Sequence, residues 1–236
     1  MNDLQSAFSQ LNLKINDKII QKFTAFEQLL LDWNEKMNLT AITEPFEILT
    51  KHFLDSILPI TVFDIPQNAL MIDIGTGAGF PGIPIKLVRD DISLTLLDSL
   101  NKRINFLDEV VNQLGLNDIS TIHGRAEDLG RNVGFREMFD VVTSRAVAEL
   151  AMLAELCLPF VKVGGVLIAL KSTDSNEEIS NAKSIISELG SEIENEFTAA
   201  IPFTEISRKI VIIRKVAPTS EKFPRSIKKI KKSLQG

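Results

Sequence analysis

The chain has 236 residues, enough for one large domain or a domain with an elaboration, and too few for two full domains. With 44% hydrophobic and 24% charged residues it reads as an ordinary soluble globular protein, and its one cysteine, Cys157, excludes an internal disulfide framework. The net charge of −5 splits into +6 on residues 222–236 and −11 on the preceding 221, so bulk charge does not announce a polyanion binder; the basic end is either a local polyanion contact or a solvated, disordered tail.

In chain order, Ile19, Ile20, Phe23, Phe26, Leu30, Trp33 and Met37 recur at three- and four-residue steps, which predicts a helix over 17–37 capped by Asn16 or Asp17. A second helix is expected over 45–57, with Pro45 in its first turn and Phe46, Leu49, Phe53 and Ile57 facing inward. Residues 1–66 thus form an N-terminal helical portion. From about Ala69 short strands alternate with helices. Strands are expected at 70–74, 93–98, 119–123, 139–143, 166–170, 192–198 and 209–216, and helices at 81–88, 101–114, 147–160 and 176–189. Alternation of this kind gives an α/β, doubly wound, mostly parallel sheet over 67–217, with the last two strands an antiparallel pair at one end. Residues 218–236 are left as the basic tail.

The segment from Asp73 to Gly82, DIGTGAGFPG, sits where the first strand hands over to a helix. Glycines there let the backbone turn sharply and approach a ligand. Nineteen residues past Gly79, Asp98 ends the second strand, where a carboxylate can accept hydrogen bonds from ribose hydroxyls. Loop and acid together predict an adenosine-containing ligand. Gly77, Gly79 and Gly82 satisfy the dinucleotide pattern G-x-G-x-x-G, which keeps a nicotinamide-dependent oxidoreductase open. Counted from Gly75, where the strand ends, the spacing is G-x-G-x-G with Asp73 two residues ahead. That arrangement resembles the S-adenosylmethionine loop of Rossmann-like methyltransferases.

After the third strand, Ala126 and Glu127 are placed to border an adenine, although Glu127 and Asp128 could equally be acids favoured at a helix start. After the fourth comes Thr143-Ser144-Arg145-Ala146, where a substrate would meet the donor; Arg145 reads there as a site residue or a surface charge. No P-loop, G-x-S-x-G elbow or H-E-x-x-H occurs. With only His52 and His123 beside Cys157, no metal site is expected. His52 is expected to bond a neighbour such as Asp55 or Ser56, His123 to be structural and Cys157 to be core. The first residues lack a basic start followed by an apolar core, and no stretch reaches ~20 apolar residues, so a soluble cytoplasmic protein without membrane contact is expected.

Segments 33–40 (WNEKMNLT), 52–56 (HFLDS), 73–84, 124–128 (GRAED), 144–146 (SRA) and 222–225 (KFPR) together resemble the bacterial small-subunit ribosomal RNA methyltransferase G (GidB) family along nearly the whole chain. The chain departs from the family pattern at Ser172, where glycine is common, and in the variable tail after Arg225. The resemblance implies methyl transfer from S-adenosylmethionine to N7 of one guanine in 16S ribosomal RNA, naked or in the small ribosomal subunit; separately, a monomer is expected. Carried over position by position, it implies that Gly75, Phe80, Ala126, Glu127 and Arg145 contact the cofactor. Guanine N7 carries a lone pair and no proton, so no general base is needed, and no catalytic residue is assigned beyond positioning by Arg145. Lys171, Arg208, Lys209 and Arg225 are the candidates for RNA contact, with Arg145 beside them. Alternatively, the chain is a non-enzymatic RNA-binding ribosome-assembly factor on the same fold.

Overall fold

Along each central strand, neighbouring side chains enter opposite cores. Met71, Val141, Ile168 and Ile212 pack on one face of the sheet; Ile72, Val142, Leu167 and Val211 pack on the other. All eight are buried, the signature of strands covered on both sides. The computed structural model describes residues 2–145 and 148–234. Ala146, and Val147 at the expected start of a helix, lie outside the described residues.

The strands are β1 (Leu70–Ile74), β2 (Ser93–Asp98), β3 (Ile119–His123), β4 (Phe139–Arg145), β5 (Val161–Ser172), β6 (Ser191–Ala200) and β7 (Ser207–Lys215). They form one sheet in the order β3-β2-β1-β4-β5-β7-β6. The first five are parallel, and β7 is inserted antiparallel between β5 and β6. The order reverses between β1 and β4, so their C-terminal ends open a crevice, the place where ligands bind in open α/β sheets. This is the α/β Rossmann-like fold expected from the alternation.

Eleven α-helical segments are described: α1 (Asn2–Gln10), α2 (Asp17–Met37), α3 (Pro45–Glu47), α4 (Asp55–Ile57), α5 (Pro59–Val62), α6 (Gly82–Val88), α7 (Asn101–Gln113), α8 (Ala126–Leu129), α9 (Leu150–Cys157), α10 (Asn176–Glu188) and α11 (Ile227–Leu234). Asn16 caps α2 by accepting from the Ile19 N–H at 3.0 Å. The helix expected over 45–57 is not uniform: residues Ile48–Leu54, between α3 and α4, form a π-helical stretch. Among the described residues no helix is long and apolar enough to cross a membrane.

The basic end departs from the loose tail expected of it. Arg131 and Arg136 donate to all six carbonyls from Thr219 to Pro224, at 2.6–3.2 Å. Phe223 and Ile230 are buried in the core that also holds α9 and α10. Arg225 grips Glu155, which is 0% exposed, through its backbone N–H (2.7 Å), Nε (2.9 Å) and Nη2 (2.7 Å). The segment reads as solvated because what holds it is distant in sequence: Glu155 lies 70 residues from Arg225, and Arg131 lies 90 residues from the Glu221 carbonyl.

Candidate functional site

At the mouth of the crevice the backbone turns back after β1. Gly75 has φ +68°, a left-handed conformation that side chains with a Cβ rarely adopt. Its N–H and that of Thr76 both donate to the Leu97 carbonyl, at 2.8 and 3.1 Å, tying the loop to the end of β2. Asp73 Oδ2 accepts from Thr76 Oγ1 at 2.7 Å and from the Gly82 N–H at 2.9 Å. A Cβ on Gly82 would stand 2.9 Å from that carboxylate oxygen and 2.7 Å from Leu96 Cδ2, so this glycine serves close packing. Its N–H is spent on Asp73.

Two cavities flank Gly75, Asp98 and Ser99. The larger, about 430 Å³, is walled by Leu39, Thr40, His52, the Gly75–Ala78 loop, Phe80, Arg103 and Arg145. The smaller, about 190 Å³, is walled by Ile74, Leu97, Gly124–Glu127, Leu156 and Ile227. Of the residues singled out in the sequence, Gly75, Phe80, Asp98 and Arg145 thus meet in the first cavity, and Ala126 and Glu127 border the second. Asp98 already accepts from the Gly77 N–H (2.9 Å), the Leu100 N–H (2.9 Å) and Arg103 Nη1 (3.1 Å). Three of its roughly four acceptor positions are therefore taken.

Arg145 is no surface charge. Its side chain is 13% exposed, and burial draws its pKa down from the ordinary value, opposed by Asp55. Nη1 donates to Asp55 Oδ2 at 2.9 Å and to the carbonyls of Lys51 and His52 at 3.1 and 3.5 Å, both within the π-helical stretch. Widened helical turns often mark functional sites, and this one brings two carbonyls to a guanidinium. Arg145 Cζ lies 5.1 Å from the centre of the Phe80 ring, and the His52 ring stacks on Phe80 at 4.5 Å and 12°.

The His52 side chain bonds neither Asp55 nor Ser56; Ser56 Oγ donates instead to the His52 carbonyl. Its Nδ1 faces Arg145 Nη2 at 3.3 Å and its Nε2 faces Thr40 Oγ1 at 2.9 Å. Burial, with the Arg145 charge second, pushes its pKa down to about 4, so the ring is neutral. Thr40, Asp55 and Arg103 escaped reading from the residue pattern because none stands on a periodic face. The 33–40 and 52–56 segments were the available signal.

A third cavity, about 440 Å³, shares His52 and Arg145 with the first and adds Ile42, Lys51, Asp55, Leu170, Lys171, Ser172, Glu178 and Arg208. Arg208 Nε donates to Asp55 Oδ1 at 2.7 Å, and Lys171 pairs with Glu178. Four cations meet two carboxylates there, and with Lys51 also paired to Glu47 an excess of one positive charge remains. Lys209 stands apart, paired with Glu196 at 3.5 Å. Arg225 is committed to Glu155 beside the second cavity rather than to the third.

The donor set can be tested against S-adenosylmethionine. Asp73 Oδ1 is fully buried without a hydrogen-bond partner. Burial raises the Asp73 pKa to about 6, which leaves a carboxylate at neutral pH able to accept from an ammonium group. Arg145 offers a cation for a carboxylate, and the smaller cavity offers apolar walls with a glutamate at its border. The residues fit the group.

The family model described as rRNA small subunit methyltransferase G (GidB) matches residues 19–211. A ribosomal RNA small subunit methyltransferase G of Clostridium botulinum (strain Loch Maree / Type A3) is 49% identical over 231 residues, covering 98% of this chain and 97% of that protein. One from Clostridium novyi (strain NT) is 49% identical over 223 residues, covering 94% and 91%. Among solved structures, a SAM-dependent methyltransferase from Aquifex aeolicus aligns with TM-score 0.52 at 16% identity, covering 72% of this chain and 93% of that one. M. jannaschii TYW2 in complex with AdoMet aligns with TM-score 0.50 at 17% identity, covering 64% and 69%, a likeness of fold. With a family match over most of the chain and near-half identity to full-length relatives, the chain belongs to the rRNA small subunit methyltransferase G (GidB) family.

Proposed function

We propose that this chain methylates N7 of one guanine in 16S ribosomal RNA, with S-adenosylmethionine as donor. The observation that carries the reading is the boundary between the first and third cavities, where His52 and Arg145 stand and neither can take a proton. His52 is neutral, but its one free lone pair faces Arg145 Nη2, and burial next to that cation opposes protonation. An acceptor that had to lose a proton, such as an exocyclic amine or a hydroxyl, would find no free base at this boundary among the described residues, only carboxylates already held by cations, Asp55 by Arg145 and Arg208 and Glu178 by Lys171. Guanine N7 attacks through an in-plane lone pair and needs none. The cation excess of the third cavity suits its O6 acceptor and a neighbouring phosphate.

When bound, S-adenosylmethionine supplies an electrophilic methyl group on a sulfonium. In this reading Ala126 and Glu127 border the adenine, Asp98 uses its remaining acceptor position for a ribose hydroxyl, and the Gly75 loop lies against the cofactor. Phe80, with the His52 ring stacked on it and Arg145 against the same side, closes that side to water. Arg145, and more remotely Lys171 and Arg208, orient the RNA. Alignment and proximity of this kind can supply several kcal/mol of the barrier reduction.

Cells lacking this protein should contain 16S ribosomal RNA that resists cleavage at one guanine under N7-methylguanine-specific strand scission. Restoring the gene should restore a single cleavage site. An identical cleavage pattern in both strains would remove the guanine-N7 reading.

A further inference from the structure

The segment ending at Asn38-Leu39-Thr40 follows α2 and borders the first cavity, yet the mechanism above gives it no task. Thr40 is held tightly: its N–H donates to Asn34 Oδ1 at 2.8 Å, and its Oγ1 accepts from the Ile42 N–H at 3.0 Å. The direction of its third contact, with His52 Nε2 at 2.9 Å, follows from the other side of the ring. Arg145 Nη2 can only donate, so His52 Nδ1 must be the bare nitrogen, and the single ring hydrogen sits on Nε2. That hydrogen is donated to Thr40 Oγ1. Both lone pairs of the hydroxyl are then filled, one by Ile42 and one by His52. Its own hydrogen is left over, and no acceptor for it occurs among the described residues.

We propose that Thr40 is a positioning residue whose hydroxyl, locked by His52 as a one-way donor, holds the carboxylate of the cofactor's aminoacyl end together with Arg145. The order of the cavities selects that end. Adenine belongs with Gly124–Glu127, Leu156 and Ile227, and the ribose with Asp98 and Ser99, which both cavities share. The remaining wall holds Leu39, Thr40, His52, Phe80 and Arg145 beside the Thr76–Ala78 loop, while the cavity's other guanidinium, Arg103, is paired with Asp98 at the ribose end. A guanidinium and a hydroxyl with an unused hydrogen there form a donor pair suited to a carboxylate. The neutral state of His52 keeps the relay in one direction: a protonated ring would set a second cation against Arg145. The proposal rests on the cofactor and not on which RNA atom is methylated, so it fails independently of the guanine-N7 reading.

The test compares two ligands by calorimetry on the full chain. S-adenosylhomocysteine carries the aminoacyl carboxylate; 5′-methylthioadenosine lacks it. Thr40→Val keeps the shape and removes the donor, and should weaken S-adenosylhomocysteine on the order of tenfold or more, the usual scale for a hydrogen bond to a charged group. Binding of 5′-methylthioadenosine should change by less than about twofold on the same scale, and Thr40→Ser should restore the first ligand. Thr40→Ala carries the same comparison should the valine variant fold poorly. Equal losses for both ligands would make Thr40 merely structural. An unchanged S-adenosylhomocysteine affinity would detach the hydroxyl from the cofactor. Either result overturns the proposal.

Discussion

Removing residues 224–236 should lower the melting temperature by about 6–20 °C and weaken S-adenosylhomocysteine binding as well. The first effect follows from Glu155, whose carboxylate is 0% exposed and whose only cation is Arg225 among the described ion pairs. Stripping one partner from a buried ion pair costs about 3–5 kcal/mol, and each kcal/mol moves the midpoint of a chain this size by roughly 2–4 °C. Burial of Ile230, lost in the same truncation, adds to the cost. The second effect follows from Ile227, which walls the smaller cavity opposite Gly124–Glu127. A solvated tail would show neither change and would alter only RNA affinity. Thermal melts and calorimetry on the truncated chain separate the two, and Arg225→Met should reproduce most of the thermal loss while leaving Ile227 in the chain.

Arg145→Met should reduce cofactor affinity by about thirtyfold or more, on the 2–5 kcal/mol scale of losing one partner from a buried charge pair. It should also destabilise the fold, because Asp55, 2% exposed, would keep only Arg208. Arg145→Lys should rescue little of the binding. The guanidinium reaches Asp55, the Lys51 carbonyl and His52 Nδ1 in one plane, and a lysine ammonium cannot reproduce that fork. Calorimetry with S-adenosylhomocysteine checks the order: wild type far above lysine, lysine near methionine. A lysine variant with wild-type affinity would reduce Arg145 to a diffuse positive charge.

The parallel half of the fold was legible because local pattern and tertiary environment agree there. β1, β2 and β3 keep the bounds read from their apolar runs, and the Asp73–Gly82 segment turns where its glycines require it. Legibility failed where a residue's partner is distant in sequence. β5 begins at Val161, before the Gly164-Gly165 pair that reads as a break, because Phe139 pairs with Val161 before the register shifts. α11 offers few apolar positions in a run of lysines, and its Ile227 and Ile230 reach the core because Phe223 is buried there and Arg131 and Arg136 hold the segment leading into the helix. α8 is a four-residue turn, too short to show periodicity. In the candidate site, the glycine loop, Asp98 and Arg145 carry signals of type and spacing. Asp55 and Thr40 stand out only as members of the 52–56 and 33–40 segments, since their roles come from neighbours on other elements. Arg145 meets Asp55 from 90 residues away, and no local window holds both.

Methyl transfer in a defined mixture tests the central claim most directly. Small ribosomal subunits, or 16S ribosomal RNA freed from them, are taken from cells lacking this protein and incubated with it and S-adenosylmethionine labelled in the methyl group. Digestion to nucleosides should place the label in N7-methylguanosine, at close to one methyl per RNA, and Arg145→Met should abolish it. Label in any other nucleoside, or no transfer to either form of the RNA by a protein that binds S-adenosylhomocysteine, would contradict the account.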